Sequence, residues 1–221
     1  MRAEPNGRAE PNGRAERNGR EAPAAPARRI VVGMTGATGA VYGIRLLEAL
    51  AAVPGVETQL ILSRWARSTI ALETDRTVAE VAELADVCHG PDDLGATVAS
   101  GSFPTDGMVI APCSMKTLAA IRTGYTEGLI ARAADVTLKE RRRLVLVPRE
   151  TPVTEVHLEN MLTLSRMGGV VMPPVPAFYN HPRTIDDLVD HLVSRVLDQF
   201  GVQAPARRWE GMRAARLRAT S

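Results

Sequence analysis

The segment from Arg29 to Leu50, RIVVGMTGATGAVYGIRLLEAL, contains an apolar run, a glycine-rich turn and an amphipathic helical pattern in immediate succession. A strand that leads into a helix in this way presents free backbone N–H groups to an anion. The turn glycines are Gly33, Gly36 and Gly39, so the dinucleotide fingerprint G-x-G-x-x-G is not met. The segment therefore predicts a phosphate-binding unit, although glycines needed only for a tight turn explain this motif equally well.

The remainder of the central sequence alternates between apolar runs and helical patterns. The runs predict strands at 29–34, 58–63, 107–112, 143–148 and 169–174. The helical patterns lie at 41–52, 64–74, 77–84, 115–121, 128–141, 154–166 and 184–200. Such alternation predicts an α/β fold: a single Rossmann-like domain with a doubly wound, mostly parallel sheet that binds ligands at the carboxyl ends of its strands.

The two ends of the chain differ in composition from its centre. Residues 1–28 contain RAEPNG twice and RAERNG once, with no apolar residue larger than Ala after Met1, which predicts a disordered leader. Residues 202–221 form a basic tail with five Arg and one Glu. The predicted domain therefore covers residues 29–201.

The charge and hydropathy of the chain exclude several classes of protein. Residues 1–29 carry seven Arg and four Glu, so that 15 basic and 20 acidic residues remain between the two ends. An acidic centre argues against nucleic-acid binding. No stretch approaches the roughly 18 apolar residues of a membrane span, and the start of the chain has no apolar signal-peptide core. We therefore expect a cytoplasmic protein that binds neither nucleic acid nor membrane.

A second candidate anion site follows the third predicted strand, in APCSMKTLAAI. Ser114, Lys116 and Thr117 fall where a helix begins, and together they offer backbone N–H groups, two hydroxyls and an ammonium. A plain N-cap is the commoner use of a residue such as Ser114. The pair Ser63-Arg64 after the second strand leaves an NADP-dependent reductase open, because this pair could accept the additional phosphate of NADP.

Charged residues lie on both sides of the fourth apolar run, in the helical pattern before it and directly after it. Arg149 and Glu150 come directly after the run, so we expect them at the carboxyl edge, where a carboxylate beside a guanidinium can transfer protons. Arg132 and Lys139 share a helix face and could clamp one anion, although two ordinary surface cations explain them better. His157 and His181 have no partner at ligand spacing, so no metal site is expected.

At these residues the sequence resembles the UbiX-like flavin prenyltransferases, within the wider group of homo-oligomeric flavin-containing cysteine decarboxylase folds. The similarity covers nearly all of residues 29–201 in order. It is carried by GMTGATGAVYGIRLLEAL, ILSRWARSTIALETD, SGSFPTDGMVIAPCSMKTLAAI, RAADVTLKERRRLVLVPRETP, HLENMLTLSRMGGVVMPPVPAFY and IDDLVDHLVSRVLDQFG. The hexapeptide-bearing leader lies outside this pattern.

The resemblance implies a role for each matching residue. FMN contacts would come from Gly36, Ala37, Thr38, Ser63, Ser114, Met115, Lys116, Thr117 and Arg149. Tyr179 and Arg195, together with Lys139, would bind the phosphate of dimethylallyl monophosphate. Arg132 would lie beside the site, and Glu150 would transfer protons.

The resemblance also implies the reaction and its context. The dimethylallyl group would be joined to N5 and C6 of reduced FMN without a metal, and the prenylated FMN would serve UbiD-like decarboxylases. The implied assembly is a homo-oligomer, a dodecamer. Two other functions stay open: a flavin-binding accessory subunit of a decarboxylase complex, and an FMN-dependent cysteine decarboxylase.

Overall fold

The fold is built on a six-stranded parallel sheet. The structure is a computed structural model that describes residues 28–203 and 211. The strands run in the order β3-β2-β1-β4-β5-β6. Their bounds are β1 Arg28–Met34, β2 Val56–Leu62, β3 Val87–His89, β4 Gly107–Cys113, β5 Arg143–Pro148 and β6 Val170–Val171.

Helices cover both faces of this sheet. They are α1 Ala40–Ala51, α2 Arg64–Glu73, α3 Val78–Ala82, α4 Met115–Thr123, α5 Leu129–Lys139, α6 Glu155–Arg166 and α7 Ile185–Asp198, with a short 3₁₀ turn at Thr97–Ala99. Alternate residues of β1 point to opposite faces: Ile30 and Val32 pack with α1 and α7, whereas Val31 packs with α4 and α5. Each face therefore has its own apolar core.

The strand order reverses between β1 and β4. After β1 the chain continues toward β2 on one side, whereas β4 lies on the other side of β1 and leads on to β5. The connection after β1 enters α1 on one face, and the connection after β4 enters α4 on the other. A crevice opens at such a switch point, just beyond the carboxyl ends of the two strands.

The predicted fold is confirmed, with two differences among the strands. β1, β2, β4 and β5 lie within two residues of the predicted runs. The edge strand β3 was not predicted, because it has three residues and none of them is buried. β6 has two residues instead of the predicted six, because Pro173 and Pro174 have no N–H to donate and the ladder ends at Met172 N, 2.7 Å from Leu146 O.

Two further predictions concern parts of the chain outside the described residues. The disordered leader at 1–28 overlaps the description only at Arg28, where β1 begins. The basic tail at 202–221 overlaps it at residues 202, 203 and 211. The division into leader, domain and tail therefore stays a prediction.

Candidate active site

A cleft of about 530 Å³ lies at the carboxyl edge of the sheet, where the strand order reverses. This volume falls within the usual range for small-molecule sites. Residues from the turn after β1, from α2, α4 and α5 and from the loops beside these helices line it: Thr35, Gly36, Ser63, Arg64, Trp65, Pro91, Asp92, Ser114, Lys116, Thr117, Ala120, Tyr125, Glu127, Gly128, Leu129, Ile130 and Ala131. Both glycine- and serine-containing turns predicted from the sequence therefore border one cavity.

A row of backbone hydrogen bonds, which we call the edge belt, joins the strand ends beneath the cleft. The bonds join Ser63 N to Met34 O (3.0 Å), Thr35 N to Pro112 O (3.1 Å) and Arg149 N to Cys113 O (3.2 Å). The belt therefore ties the ends of β2, β1, β4 and β5 to one another. It sets the relative positions of three segments that the sequence assigned to cofactor binding.

The start of α4 is the part of the cleft best suited to an anion. Ser114 is the N-cap: its Oγ accepts from Thr117 N at 3.3 Å and lies 3.1 Å from Thr117 Oγ1. Lys116 is exposed and forms no ion pair with any residue in the described part of the chain. Ser114 therefore acts as an N-cap, the alternative that the sequence left open, and the helix N-terminus beside it combines its dipole with an available ammonium group.

The start of α1 is different, because a carboxylate already occupies it. Glu73 Oε2 accepts from Gly39 N at 2.8 Å and from Ala40 N at 2.9 Å. These are the N-terminal donors that the opening motif offered to a phosphate. A phosphate at this edge is therefore better served by α4 than by α1.

Gly36 allows α2 to approach the first turn closely. A Cβ on Gly36 would lie 2.3 Å from Trp65 Cβ, a distance that two carbon atoms do not reach. The Trp65 side chain is 67% exposed and lines the mouth of the cleft, with the Arg64 guanidinium 6.0 Å from its ring centre. This glycine is needed to bring an aromatic side chain to the site.

Arg149 and Glu150 stand at the end of β5, as predicted, and both are exposed. Glu150 Oε1 accepts from Thr151 N at 3.1 Å. Neither side chain lines the cleft, but the edge belt places Arg149 beside the end of β4 and hence beside Ser114.

The cations of α5 do not meet at the cleft within one protomer. Arg132 Nε donates to Ala99 O at 3.2 Å, and its Nη1 pairs with Asp135 Oδ2 at 3.0 Å. Lys139 pairs with Glu140 at the far end of the helix. The cleft lining extends along α5 to Ala131, so Lys139 lies about 12 Å from the cleft along the helix axis.

Tyr179 and Arg195, which were assigned to the substrate phosphate together with Lys139, also lie outside the cleft lining. Tyr179 is half exposed, and its hydroxyl is 3.4 Å from His191 Nε2. Arg195 is exposed near the end of α7, and the chain just beyond that helix reaches the start of β1, where Arg28 Nη1 donates to Phe200 O at 3.0 Å. Arg195 therefore lies toward the amino edge of the sheet, away from the cleft.

The cleft thus brings together one group of the predicted residues: Gly36, Ser63, Ser114, Lys116 and Thr117. Ala37, Thr38 and Met115 belong to the same two turns. The sequence analysis missed Thr35, Trp65, Tyr125 and Glu73. The available signals were the position of Thr35 directly before a turn glycine and the rarity of Trp, of which the chain has two.

One buried thiol lies at the end of β4, next to the cleft. Burial raises the pKa of the Cys113 thiol to about 12, so this group beneath the cleft is protonated at neutral pH. In residues 28–203 and 211 no group of three or more His, Cys, Asp or Glu is arranged to hold a metal ion. Over the same residues no helix has the length and apolarity to cross a membrane.

Comparison with known proteins places the chain in a family. The flavoprotein family profile matches residues 19–197. A probable UbiX-like flavin prenyltransferase of Streptomyces sp. (strain D7) is 71% identical over 194 residues, which cover 87% of this chain and 97% of the relative. The flavin prenyltransferase UbiX of Salmonella typhimurium (strain LT2) is 54% identical over 187 residues, covering 83% of this chain and 99% of the relative.

Two solved structures share the fold at high identity. A dodecameric FMN-dependent UbiX-like decarboxylase from Escherichia coli O157:H7 is 62% identical, with a TM-score of 0.82, over 83% of this chain and 100% of the other. A UbiX protein solved with FMN and dimethylallyl pyrophosphate is 56% identical, also with a TM-score of 0.82, over 83% and 98% of the two chains. The chain therefore belongs to the flavoprotein family and, within it, to the UbiX-like flavin prenyltransferases.

Proposed function

We propose that this chain is a flavin prenyltransferase that joins the dimethylallyl group of dimethylallyl monophosphate to N5 and C6 of reduced FMN. The observation that carries the proposal is the single cleft where the phosphate-competent start of α4 meets the glycine turn of β1. Relatives more than 50% identical over most of the chain are flavin prenyltransferases by name.

The residues of the cleft fit a mononucleotide. The α4 turn offers hydroxyls, N-terminal amides and the Lys116 ammonium to one phosphate, whereas Glu73 already occupies the start of α1. One phosphate site beside an apolar-lined cavity with an exposed Trp65 suits FMN better than a dinucleotide. We assign Gly36, Ala37, Thr38, Ser63, Ser114, Met115, Lys116, Thr117 and Arg149 to its binding.

The remaining assigned residues suit the prenyl substrate. Loss of an allylic monophosphate requires cations that stabilise the departing phosphate, and we assign this role to Lys139, Arg149 and Arg195. Reduced FMN supplies the nucleophilic ring atoms. Closing the ring at C6 would require a proton for the neighbouring alkene carbon of the prenyl group and the loss of the C6 ring proton, and Glu150 or the departed phosphate would deliver the first and accept the second.

We further propose that a neighbouring protomer completes the site. Lys139 is about 12 Å from the cleft of its own chain along α5, and Arg195 lies toward the opposite edge of the sheet. Both side chains are exposed and could reach the cleft of another copy. The dodecameric relative from E. coli supports a homo-oligomer, and we propose a dodecamer here.

The first experiment tests the reaction itself. The purified chain is incubated anaerobically with reduced FMN and dimethylallyl monophosphate, and the molecular mass of the flavin product is measured by mass spectrometry. We expect a prenylated FMN to accumulate over many turnovers with this chain alone. Binding of FMN without turnover would favour the accessory subunit, and binding of NADPH instead of FMN would favour the reductase.

A second experiment tests the shared site by mixing two inactive variants. Lys139→Ala and Glu150→Gln are co-expressed with different tags, and mixed oligomers are isolated. If each site takes these residues from different protomers, random mixing restores both residues in about a quarter of the sites, and activity returns. Mixed oligomers that stay inactive would place both residues in one protomer.

The use of the product and the location of the protein complete the proposal. We propose that a UbiD-like decarboxylase receives the prenylated FMN and that both proteins are cytoplasmic. Adding the reaction product to an apo UbiD-like decarboxylase should restore decarboxylation, and cell fractionation tests the location.

The cysteine decarboxylase alternative has less support. The FMN-dependent cysteine decarboxylase TvaF is 16% identical to this chain with a TM-score of 0.56, a likeness that shows the fold alone. A peptide ending in cysteine, incubated with the chain and FMN, should therefore keep its mass.

A further inference from the structure

Thr35 is a buried polar residue at the floor of the cleft. It directly follows β1, and its side chain is 3% exposed. Its Oγ1 donates to Pro112 O at 2.8 Å and accepts from Ser114 N at 2.8 Å. The hydroxyl therefore uses its donor on the last residues of β4 and an acceptor site on Ser114, which connects β4 to α4.

This pair of bonds controls the segment best suited to bind phosphate. Ser114 is the N-cap of α4, so the position of its amide sets where the first turn of the helix begins. The Thr35 backbone adds a third link, because its N donates to Pro112 O at 3.1 Å. The residue directly after β1 thus holds the end of β4 and the start of the following turn through both its main chain and its side chain.

The hydroxyl differs from the other connections along this edge. The links of the edge belt at Ser63, Thr35 and Arg149 are bonds between backbone atoms, which a substitution leaves in place. Thr35 Oγ1 is a side-chain link at the junction of β1 and β4. A single substitution can therefore loosen the α4 turn without removing a group assigned to flavin or substrate.

We infer that Thr35 is a positioning residue that fixes the start of α4 for flavin binding, an inference that rests on the proposed function. Removal of the hydroxyl leaves the half-buried Ser114 N–H without its acceptor on the chain, and an amide in that state moves to find another partner. Small displacements of a preorganised phosphate site reduce affinity sharply.

The test compares Thr35→Val with a matched control, Thr58→Val. Thr58 is 1% exposed, and its Oγ1 also donates once, to Asp86 Oδ2 at 2.8 Å, and accepts once, from Asp86 N at 3.0 Å. It lies near the start of β2, at the edge of the sheet opposite the cleft. Both substitutions remove a buried hydroxyl with two partners, so both should lower the melting temperature.

Two measurements separate positioning from general loss of stability. We expect Thr35→Val to weaken FMN binding by at least about tenfold, the loss typical of a buried hydrogen bond, and Thr58→Val to bind as wild type does. Amide hydrogen exchange of peptides covering 113–118 in the FMN-free protein should accelerate in Thr35→Val and stay unchanged in Thr58→Val. Thr35→Ser keeps the hydroxyl and should restore both properties.

Several results would overturn the inference. The first is wild-type FMN affinity in Thr35→Val. The second is a loss of FMN affinity in Thr58→Val as large as that in Thr35→Val. The third is a Thr35→Ser variant whose FMN affinity and amide exchange differ from those of the wild type. If Thr35→Val does not fold, Thr35→Cys, which keeps a weak donor of similar size, replaces it. A wild-type chain that binds no FMN would overturn the proposed function instead, and the exchange measurement would still decide whether Thr35 fixes the turn.

Discussion

Replacing Gly36 with Ala should displace α2 from the first turn of the cleft. The new Cβ would lie 2.3 Å from Trp65 Cβ and 3.2 Å from Trp65 C, whereas unstrained carbon atoms stay about 3.5–4.0 Å apart. One of these atoms is the first carbon of the Trp65 side chain, and the other is a backbone carbon. They cannot rotate away, so the helix itself must shift by about 1 Å or more.

The size of the effect follows from what the helix carries. Overpacking of this kind costs about 1–3 kcal/mol, which corresponds to roughly one to two orders of magnitude in an equilibrium constant. Ser63, the N-cap of α2, lines the cleft, and Trp65 stands at its mouth. The strain is relieved when α2 moves Ser63 and Trp65 away from the cleft. We therefore expect most of the overpacking energy to appear as lost FMN affinity.

The assay is a fluorescence titration with FMN, together with thermal unfolding of the flavin-free protein. Gly90→Ala is the control, because its new Cβ would meet nothing closer than Asp93 Cβ at 3.7 Å, an ordinary contact. We expect wild-type affinity in the control. If Gly36→Ala bound FMN as tightly as wild type, the close contact with Trp65 would have no part in forming the site.

Three further predictions concern chemistry, acid stability and the leader. Glu150→Gln should keep FMN bound and slow product formation by about 10²- to 10⁴-fold, measured by product mass against time, because Gln cannot exchange a proton. Hydrogen bonds from the Thr58 backbone N–H and hydroxyl lower the pKa of Asp86 below its ordinary 3.8, against the effect of burial. The lowered pKa stabilises the folded state above about pH 4, and this stabilisation is lost as the pH falls through the folded-state pKa of Asp86. Asp86→Asn should therefore lower the melting temperature at pH 7 and make it decline less steeply below about pH 4. Deletion of residues 2–27 should leave FMN affinity and turnover unchanged; loss of either would give the leader a role.

The sheet was predictable because buried parallel strands have a simple signature. Each central strand is a run of Val, Ile and Leu that is covered on both faces, so composition alone identifies it. β3 has no such signature, since its three residues lie at an edge and include Cys88 and His89. The length of β6 was overestimated, because the apolar sequence continues to Pro174. The hydrogen-bond ladder ends earlier, since Pro173 and Pro174 have no N–H to donate.

The site was predictable where its residues follow strands directly, and not where they come from distant parts of the chain. Gly36 and Ser114 each occupy a strand-to-helix turn, and the carboxyl ends of parallel strands must meet at one edge. Glu73 reaches Gly39 from 34 residues further along the sequence, and no local pattern signals that contact. The opening motif therefore predicted the right edge of the sheet, although the Glu73 carboxylate already occupies the start of α1.

The topology explains why Lys139 could be identified from the family resemblance and still lie away from the cleft. A helix that connects two parallel strands must carry the chain from the carboxyl edge back to the amino edge, where the next strand begins. α5 begins at the cleft and β5 starts at Arg143, so the last residue of α5 lies near the opposite edge in any protein with this fold. If Lys139 stabilises a phosphate in a cleft, that cleft belongs to another copy of the chain. Arg195 near the end of α7 also lies toward the amino edge, because the chain just beyond that helix contacts Arg28 at the start of β1. A monomeric form that still turned over would therefore contradict the assignment of both cations.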